Sequence, residues 1–479
     1  MPDTGRLRHI FDWLHGLPRA TTASALAIAC VIPALWPGDI PFINDEPQLI
    51  ASAVSANHAH QLAKVGLLGT YGFAYGPAPT WVYQLLMAVS HDLVLVAVLH
   101  ALLMSVTTGV ALWWLSRSLG LWVWFAPLPL LSPYFWFYSR VLWDNPFVIP
   151  LGALALAGYA AHNQSGSSTG LRVSVAALVL LPLVHLMSLA LVAPLAAHMI
   201  VIRGRSLWTH KVSLTAIIAA VCVLAWPYWT YLVTAHGPES TRRIVVRGVL
   251  FPLAGGRLFS ASGLEYFYGA HPVSGQLFGA AETVSLVAYP LVWLGIIVAL
   301  LAVGRAVRTR TWTPRAHVAG IAVAAVACQM VIDGISGKFE HPHYENGTWI
   351  AFVVLMWLAV DALAERPLWR RAAMATTAQL ASANLLAVGL LLVRLHGSGT
   401  REVYGPTLAN QQAIGQQLAG YAPRSEVQCD VIMWNRFPHA LATIRELTPS
   451  RHGVLPVRPL LLRYASDNPE SGLVELVER

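Results

Sequence analysis

The sequence predicts an all-α polytopic membrane protein of about eleven transmembrane helices. Its first exterior loop should carry an interfacial helix, and a small exterior α/β unit should follow the last span. Three observations carry this expectation. Of the 479 residues, 56% are hydrophobic and the mean hydropathy is +0.56. Only 11% are charged, less than half of the roughly 25% usual in soluble domains. The basic residues fall mostly in short connections between apolar runs, the positive-inside pattern of membrane helices. Eighteen tryptophans and fifteen tyrosines suit aromatic belts at the two interfaces. The net charge of +8 therefore reports topology rather than a nucleic-acid partner.

Each span follows from the need for about 20 apolar residues to cross a bilayer as helix. Candidates lie at 20–37, 93–116, 121–138, 147–162, 173–185, 187–202, 212–235, 286–304, 316–335, 348–364 and 372–395. Arg6, Arg8 and Arg19 precede the first span, and no small-residue cleavage site follows, so this span should be retained as a helix. The apolar stretch 173–202 has basic residues at both ends, Arg172 and Arg203. A hairpin of two short helices turning near His185-Leu186-Met187-Ser188 keeps both ends on one side. Arg117, Arg172, Arg203, Arg205, Lys211, Arg305, Arg308, Arg310, Arg315, Arg366, Arg370 and Arg371 then share the cytoplasmic face. The N-terminus lies inside and the C-terminus outside.

The connections are less uniform than the spans. The first exterior loop, 38–92, contains an amphipathic stretch from Leu49 to Leu68 that suits a helix along the interface. The large exterior loop, 236–285, is rich in glycine, aromatics and arginine. Residues 1–395 thus form the membrane domain and 396–479 a small exterior domain. Ala409–Leu418 reads as helix in that domain, and Val427–Met433 and Val457–Tyr464 as strands. Cys30, Cys222 and Cys328 sit within spans and Cys429 stands alone in the tail, so neither a disulfide framework nor a zinc framework is implied.

Two acidic motifs stand out in so weakly charged a chain: Asp45-Glu46-Pro47 and Asp144-Asn145-Pro146. In both, an aspartate sits two residues ahead of a proline that opens a helical segment. Capping alone would explain this, because Asp and Asn are favoured before a helix and Pro in its first turn. A helix N-terminus also keeps a carboxylate ionised, ready to accept a proton or bind a metal. The topology places both acids on one side of the membrane.

Between the acids lies Tyr71-Gly72-Phe73-Ala74-Tyr75-Gly76-Pro77-Ala78-Pro79-Thr80-Trp81, and Ser139-Arg140-Val141-Leu142-Trp143-Asp144 precedes the fourth span. The series is an acid pair after the first helix, an interfacial helix, a Pro-x-Pro helix entrance and a Ser-Arg-x-x-x-Asp. It resembles the GT-C glycosyltransferases that use polyprenyl-phosphate sugars, such as protein O-mannosyltransferases and the lipid A aminoarabinose transferase. The motif order covers about the first 200 residues, and the topology covers the whole chain.

The resemblance implies a bacterial inner-membrane enzyme that moves a sugar from a polyprenyl-phosphate carrier to a glycan, lipid or protein acceptor on the exterior face. It implies Asp45 as the catalytic base of an inverting transfer, Asp144 as a second acid at the same site and Glu46 as a supporting one. A departing lipid phosphate needs cations. The exterior candidates are Lys64, Arg140, Arg242, Arg243, Arg247, Arg257 and Lys338. The family often has an Arg-Tyr pair at the equivalent helix entry after the ninth span; here the pair is His343-Tyr344, a departure. His341 and His343 are the candidate metal ligands, and the need for a divalent metal stays open. Two alternatives also stay open: a transporter or flippase of lipid-linked sugars, and an O-antigen ligase or polymerase.

Overall fold

The structure, a computed structural model, describes residues 19–43, 45–69, 73–122, 125–235, 249–264, 276–336, 342–401, 404–422, 425–430, 437–448, 456–468 and 471–478. Among these described residues six helices are long and apolar enough to cross a membrane, and counting each of two bent pairs as one span brings the number to eight. Two shorter apolar helices, Thr21–Ala34 and Ser168–Leu183, join them.

The chain opens with α1 (Arg19–Val31), followed by α2 (Glu46–His58), α3 (Ala78–Val89) and α4 (Leu93–Ser118). Asp92 caps α4 by accepting from the Val94 amide at 2.9 Å, and 26 residues of helix reach about 39 Å. The span expected over 121–138 is not one helix among its described residues. Pro127, Pro129 and Pro133 remove amide donors there, leaving a 3-10 turn at Leu128–Leu131 and the short α5 (Pro133–Arg140). This segment and Asn145–Ser165, which contains α6 (Val148–Ser165), meet at 117°. The bend leaves Val141 to Asp144 as a loop at the helix entrance.

α7 (Ser168–Leu180) packs back on α6 through Gly158 and Gly170, where glycine lets the two backbones touch. The chain turns through residues 181–188 and returns as α8 (Leu189–Thr209). Arg203 Nε donates to Asn163 Oδ1 at 2.6 Å and Ser206 Oγ lies 2.9 Å from His162 Nε2, so the end of α8 meets the end of α6. The basic residues at both ends of 173–202 therefore share a face. α9 (Lys211–Leu224) and α10 (Trp226–Thr234) form the second bent pair, at 63°.

After two buried 3-10 turns between Phe251 and Leu264 come α11 (Gln276–Ser285), α12 (Ala288–Thr309), α13 (Pro314–Ser336), α14 (Trp349–Ala364) and α15 (Pro367–Leu395). α14 is buried around most of its circumference and forms the hub of the bundle, packed by α12, α13 and α15. Gly295 of α12 lies directly on the Leu355 backbone of α14. Arg315 ties the arginine-rich face together, donating to the Leu119 carbonyl at 2.7 Å and pairing with Asp361 at 2.7 Å.

The helix expected over Leu49–Leu68 stops at His58. Gln84 of α3 explains the stop: its Nε2 donates to the Gln61 carbonyl and its Oε1 accepts from the Ala63 amide, both at 2.9 Å. A side chain from another helix thus satisfies backbone groups that further helix would have used. α2 is also less interfacial than expected, since Leu49, Ile50 and Ala53 are fully buried.

The tail folds as α16 (Leu408–Leu418), β1 (Val427–Asp430), α17 (Phe437–Leu447), β2 (Leu460–Tyr464) and β3 (Val474–Glu478). Its sheet has the order β1-β2-β3, with β1 parallel to β2 and β2 antiparallel to β3. Its small core borrows Ile43 from the first loop. The Leu408 amide donates to the Ile40 carbonyl at 2.9 Å, and Thr443 Oγ1 of α17 donates to the Pro47 carbonyl at 3.3 Å. Asp39 accepts from the Gly397 amide at 3.0 Å and lies 2.8 Å from His396 Nδ1. The tail is therefore seated on the loop that carries Asp45 and Glu46.

Candidate active site

Pro47 in the first turn of α2 fixes where that helix begins and puts Asp45 at its N-cap. Asp45 is exposed, and its side chain makes no capping hydrogen bond; only its carbonyl takes part, accepting from the Leu49 amide at 3.1 Å. Glu46, on the first turn, is buried. The simple capping explanation therefore does not describe Asp45.

Asp144 is placed by the bend between α5 and α6, with Pro146 starting the 3-10 turn that leads into α6. Its Oδ1 accepts from the Asn145 amide at 2.7 Å. Its Oδ2 is buried and has no hydrogen-bond partner among the described residues. Burial raises the Asp144 carboxyl to about 8, and the negative charge of Asp45 pushes it the same way, against the pull of the Asn145 amide. The two acids, far apart in sequence, thus act on one another.

Tyr83 of α3 stands among these groups. Its hydroxyl donates to the Trp143 carbonyl at 3.1 Å and lies 3.3 Å from His100 Nδ1. Burial raises the phenol well above its ordinary value, and the charges of Asp144 and Glu46 add to this. Trp143 meets His343 edge-on, with ring centroids 4.8 Å apart, and His343 packs on Tyr344 at 4.2 Å. His185, in the turn before α8, closes the wall against Tyr75 at 4.2 Å and is kept neutral by burial, its pKa lowered to about 3.

The segment carrying His343 and Tyr344 is a buried 3-10 turn, Pro342–Thr348. A side-on ion pair holds it: Arg257 Nη2 lies 2.7 Å from Glu345 Oε1, and Nε donates to Oε2 at 3.2 Å. The Tyr134 hydroxyl lies 2.8 Å from the Pro342 carbonyl and 2.7 Å from Asn346 Oδ1. Gln329 donates to Asp333 and to the Tyr344 carbonyl.

The sequence candidates divide accordingly. Asp45, Glu46, Asp144, His343 and Tyr344 fall on one face with Tyr83 and Trp143. Arg140 is buried, donates to the Leu35 and Trp36 carbonyls at 3.1 and 2.7 Å, and lies 4.8 Å over Trp136. Its guanidinium thereby holds the segment that follows α1 against α5. Lys64 is exposed in the loop after α2. Arg242, Arg243, Arg247, Lys338 and His341 lie outside the described residues. Among the described residues no three His, Cys, Asp or Glu side chains converge as metal ligands. Sequence reasoning missed Tyr83, Trp143 and the Arg257–Glu345 pair as a unit. Only the nearness of Trp143 to Asp144, and of Glu345 to His343-Tyr344, could have signalled them.

No protein-family model and no curated protein matches the chain. Among solved structures, the chain is similar to ArnT from Cupriavidus metallidurans bound to undecaprenyl phosphate. The TM-score is 0.52 at 15% identity, with 93% of each chain covered. The apo oligosaccharyltransferase of Archaeoglobus fulgidus gives a TM-score of 0.46 at 11% identity, over 89% of this chain and 64% of that one. The first likeness shows that the chain shares the fold of ArnT.

Proposed function

We propose that the chain is an inverting glycosyltransferase that moves a sugar from a polyprenyl-phosphate carrier to an acceptor at the outer face of the bacterial cytoplasmic membrane. One observation carries this reading: an exposed Asp45 that does not cap its helix is coupled to a buried Asp144, one of whose oxygens has no hydrogen-bond partner among the described residues. The ArnT neighbour, solved with undecaprenyl phosphate, supports the choice of donor. Acids at helix entrances on one face favour a transferase over a transporter, whose charges tend to stand at mid-membrane depth.

In this reading the acceptor oxygen attacks the anomeric carbon from the side opposite the phosphate. The new C–O bond forms as the old one breaks, and its electron pair leaves with the lipid phosphate. Asp45 takes the acceptor proton, which requires a hydroxyl within about 2.6–3.2 Å. Asp144, protonated near neutrality, leaves Asp45 as the charged member of the pair and offers the site a hydrogen-bond donor. Tyr83 positions Trp143, and through it Asp144. Lys64, Lys338 and the arginines Arg242, Arg243 and Arg247 are the candidate cations for the phosphate.

The test is Asp45→Asn, which keeps the side-chain size and can still cap a helix. Membranes carrying equal amounts of native and variant protein are supplied with the lipid-linked sugars that accumulate when the gene is deleted. Loss of the base should slow transfer by about 10²–10⁴-fold. Turnover near that of the native chain would remove Asp45 from the chemistry.

A further inference from the structure

A second built site lies at the opposite end of α6 from the acids. α6 has 18 residues, so the two sites stand about 27 Å apart along its axis. Here the ends of α4 and α6 and the start of α7 enclose an open groove of about 540 Å³. Trp113, Trp114, Arg117, Gln164, Ser165 and Ser167 line it. From this groove we infer that the arginine-rich face carries a specific site for the headgroup of an anionic glycerophospholipid of the phosphatidylglycerol class.

Each part of that headgroup finds complementary chemistry. Arg117 is exposed and has no acidic partner among the described residues. An arginine near a helix C-terminus suits the helix dipole in any case, but this one also faces a cavity lined with hydroxyls and an amide. Its planar fork fits a phosphodiester bearing one negative charge. Ser167, the N-cap of α7, already accepts from the Gly170 amide at 3.0 Å, so its own hydroxyl hydrogen remains to be donated to a phosphate oxygen. The first amides of α7 add the positive end of a helix beside it.

Ser165 is the complement of Ser167. Its hydroxyl donates to the Ala161 carbonyl at 3.0 Å, which leaves its lone pairs as acceptors. With the exposed Gln164 it suits the hydroxyls of a glycerol headgroup, which donate. Trp113 and Trp114, half-buried at the same level, mark the depth at which indoles seat against headgroups and upper acyl chains. Val110, exposed one turn further into the bundle, continues the groove as an apolar track for a chain.

The test uses the full chain purified in detergent, with lipid binding followed by native mass spectrometry. Phosphatidylglycerol is titrated against phosphatidylcholine for the native chain, Arg117→Gln and Gln164→Ala. Loss of a charge-assisted contact should weaken phosphatidylglycerol binding by roughly tenfold in Arg117→Gln, with a smaller loss for phosphatidylcholine, whose phosphodiester is already balanced by its own ammonium. Gln164→Ala, an exposed substitution that leaves the fold untouched, should lower phosphatidylglycerol binding several-fold and serves alone if Arg117→Gln does not fold. Equal binding of the two lipids by the native chain would overturn the inference, as would retention of the preference in both variants. Displacement of phosphatidylglycerol by inorganic phosphate, or by a polyprenyl phosphate at equal concentration, would assign the groove to that ligand instead and overturn it too.

Discussion

Asp144→Asn gives the most direct test of the acid pair. Asparagine keeps an Oδ1 acceptor for the Asn145 amide, now 2.7 Å away, and removes the ionisation. In the native chain burial, with the charge of Asp45, raises this carboxyl from 3.8 to about 8. The unfolded chain loses the proton above about pH 4, whereas the folded chain keeps it to about pH 8. The folded state therefore binds more protons across that window, and stability falls as pH rises through it. Each pH unit costs about 1.4 kcal/mol, so the cost reaches about 4 kcal/mol at pH 7 and stops growing above about pH 8. Asparagine carries none of this cost. Thermal unfolding of detergent-solubilised native and variant protein should show a gap in favour of Asp144→Asn that widens from pH 5 to pH 8 and is then constant. A gap of the same size at every pH would mean that Asp144 is already ionised in the fold, and the coupling with Asp45 would have to be abandoned.

Three further outcomes follow from the same geometry. Asp45→Asn should abolish transfer at unchanged membrane abundance, as set out above. Arg257→Ala should destabilise the chain by about 3–5 kcal/mol, because it strands the fully buried Glu345 carboxylate; adding Glu345→Gln should restore much of the loss, read as a recovered midpoint of thermal unfolding. In Gly170→Ala the new Cβ would sit 2.6 Å from the Gly158 carbonyl oxygen. α6 and α7 must then part, costing about 1–3 kcal/mol, and unfolding temperature measures it.

Much of the site's address is written in short-range sequence. Asp45 and Asp144 are legible because each precedes a proline that can only begin a helical segment, and because charge is scarce in this chain. The positions of Tyr83, Trp143 and the Arg257–Glu345 pair are not legible. Tyr83 sits in a helix with no motif of its own, and it becomes informative only when its hydroxyl is found on the Trp143 carbonyl. Arg140 shows the converse. Its motif marks it as a phosphate ligand, yet the fold directs its guanidinium to the Leu35 and Trp36 carbonyls beyond α1.

Apolar composition and the distribution of arginines determined that this chain is a bundle of membrane helices, because a bilayer rewards only long runs of satisfied backbone and penalises misplaced charge. Hydropathy reports length and polarity, not straightness. Tertiary structure, not hydropathy, decided that residues 128–140 run as a 3-10 turn and a short helix, since prolines break the amide ladder and neighbouring helices shelter the carbonyls left over. It also ended α2 at His58, through Gln84 arriving from another helix. And it alone put a carboxylate from the first loop within electrostatic reach of one from the second, because an electric field acts through space while a sequence orders its residues only along the chain.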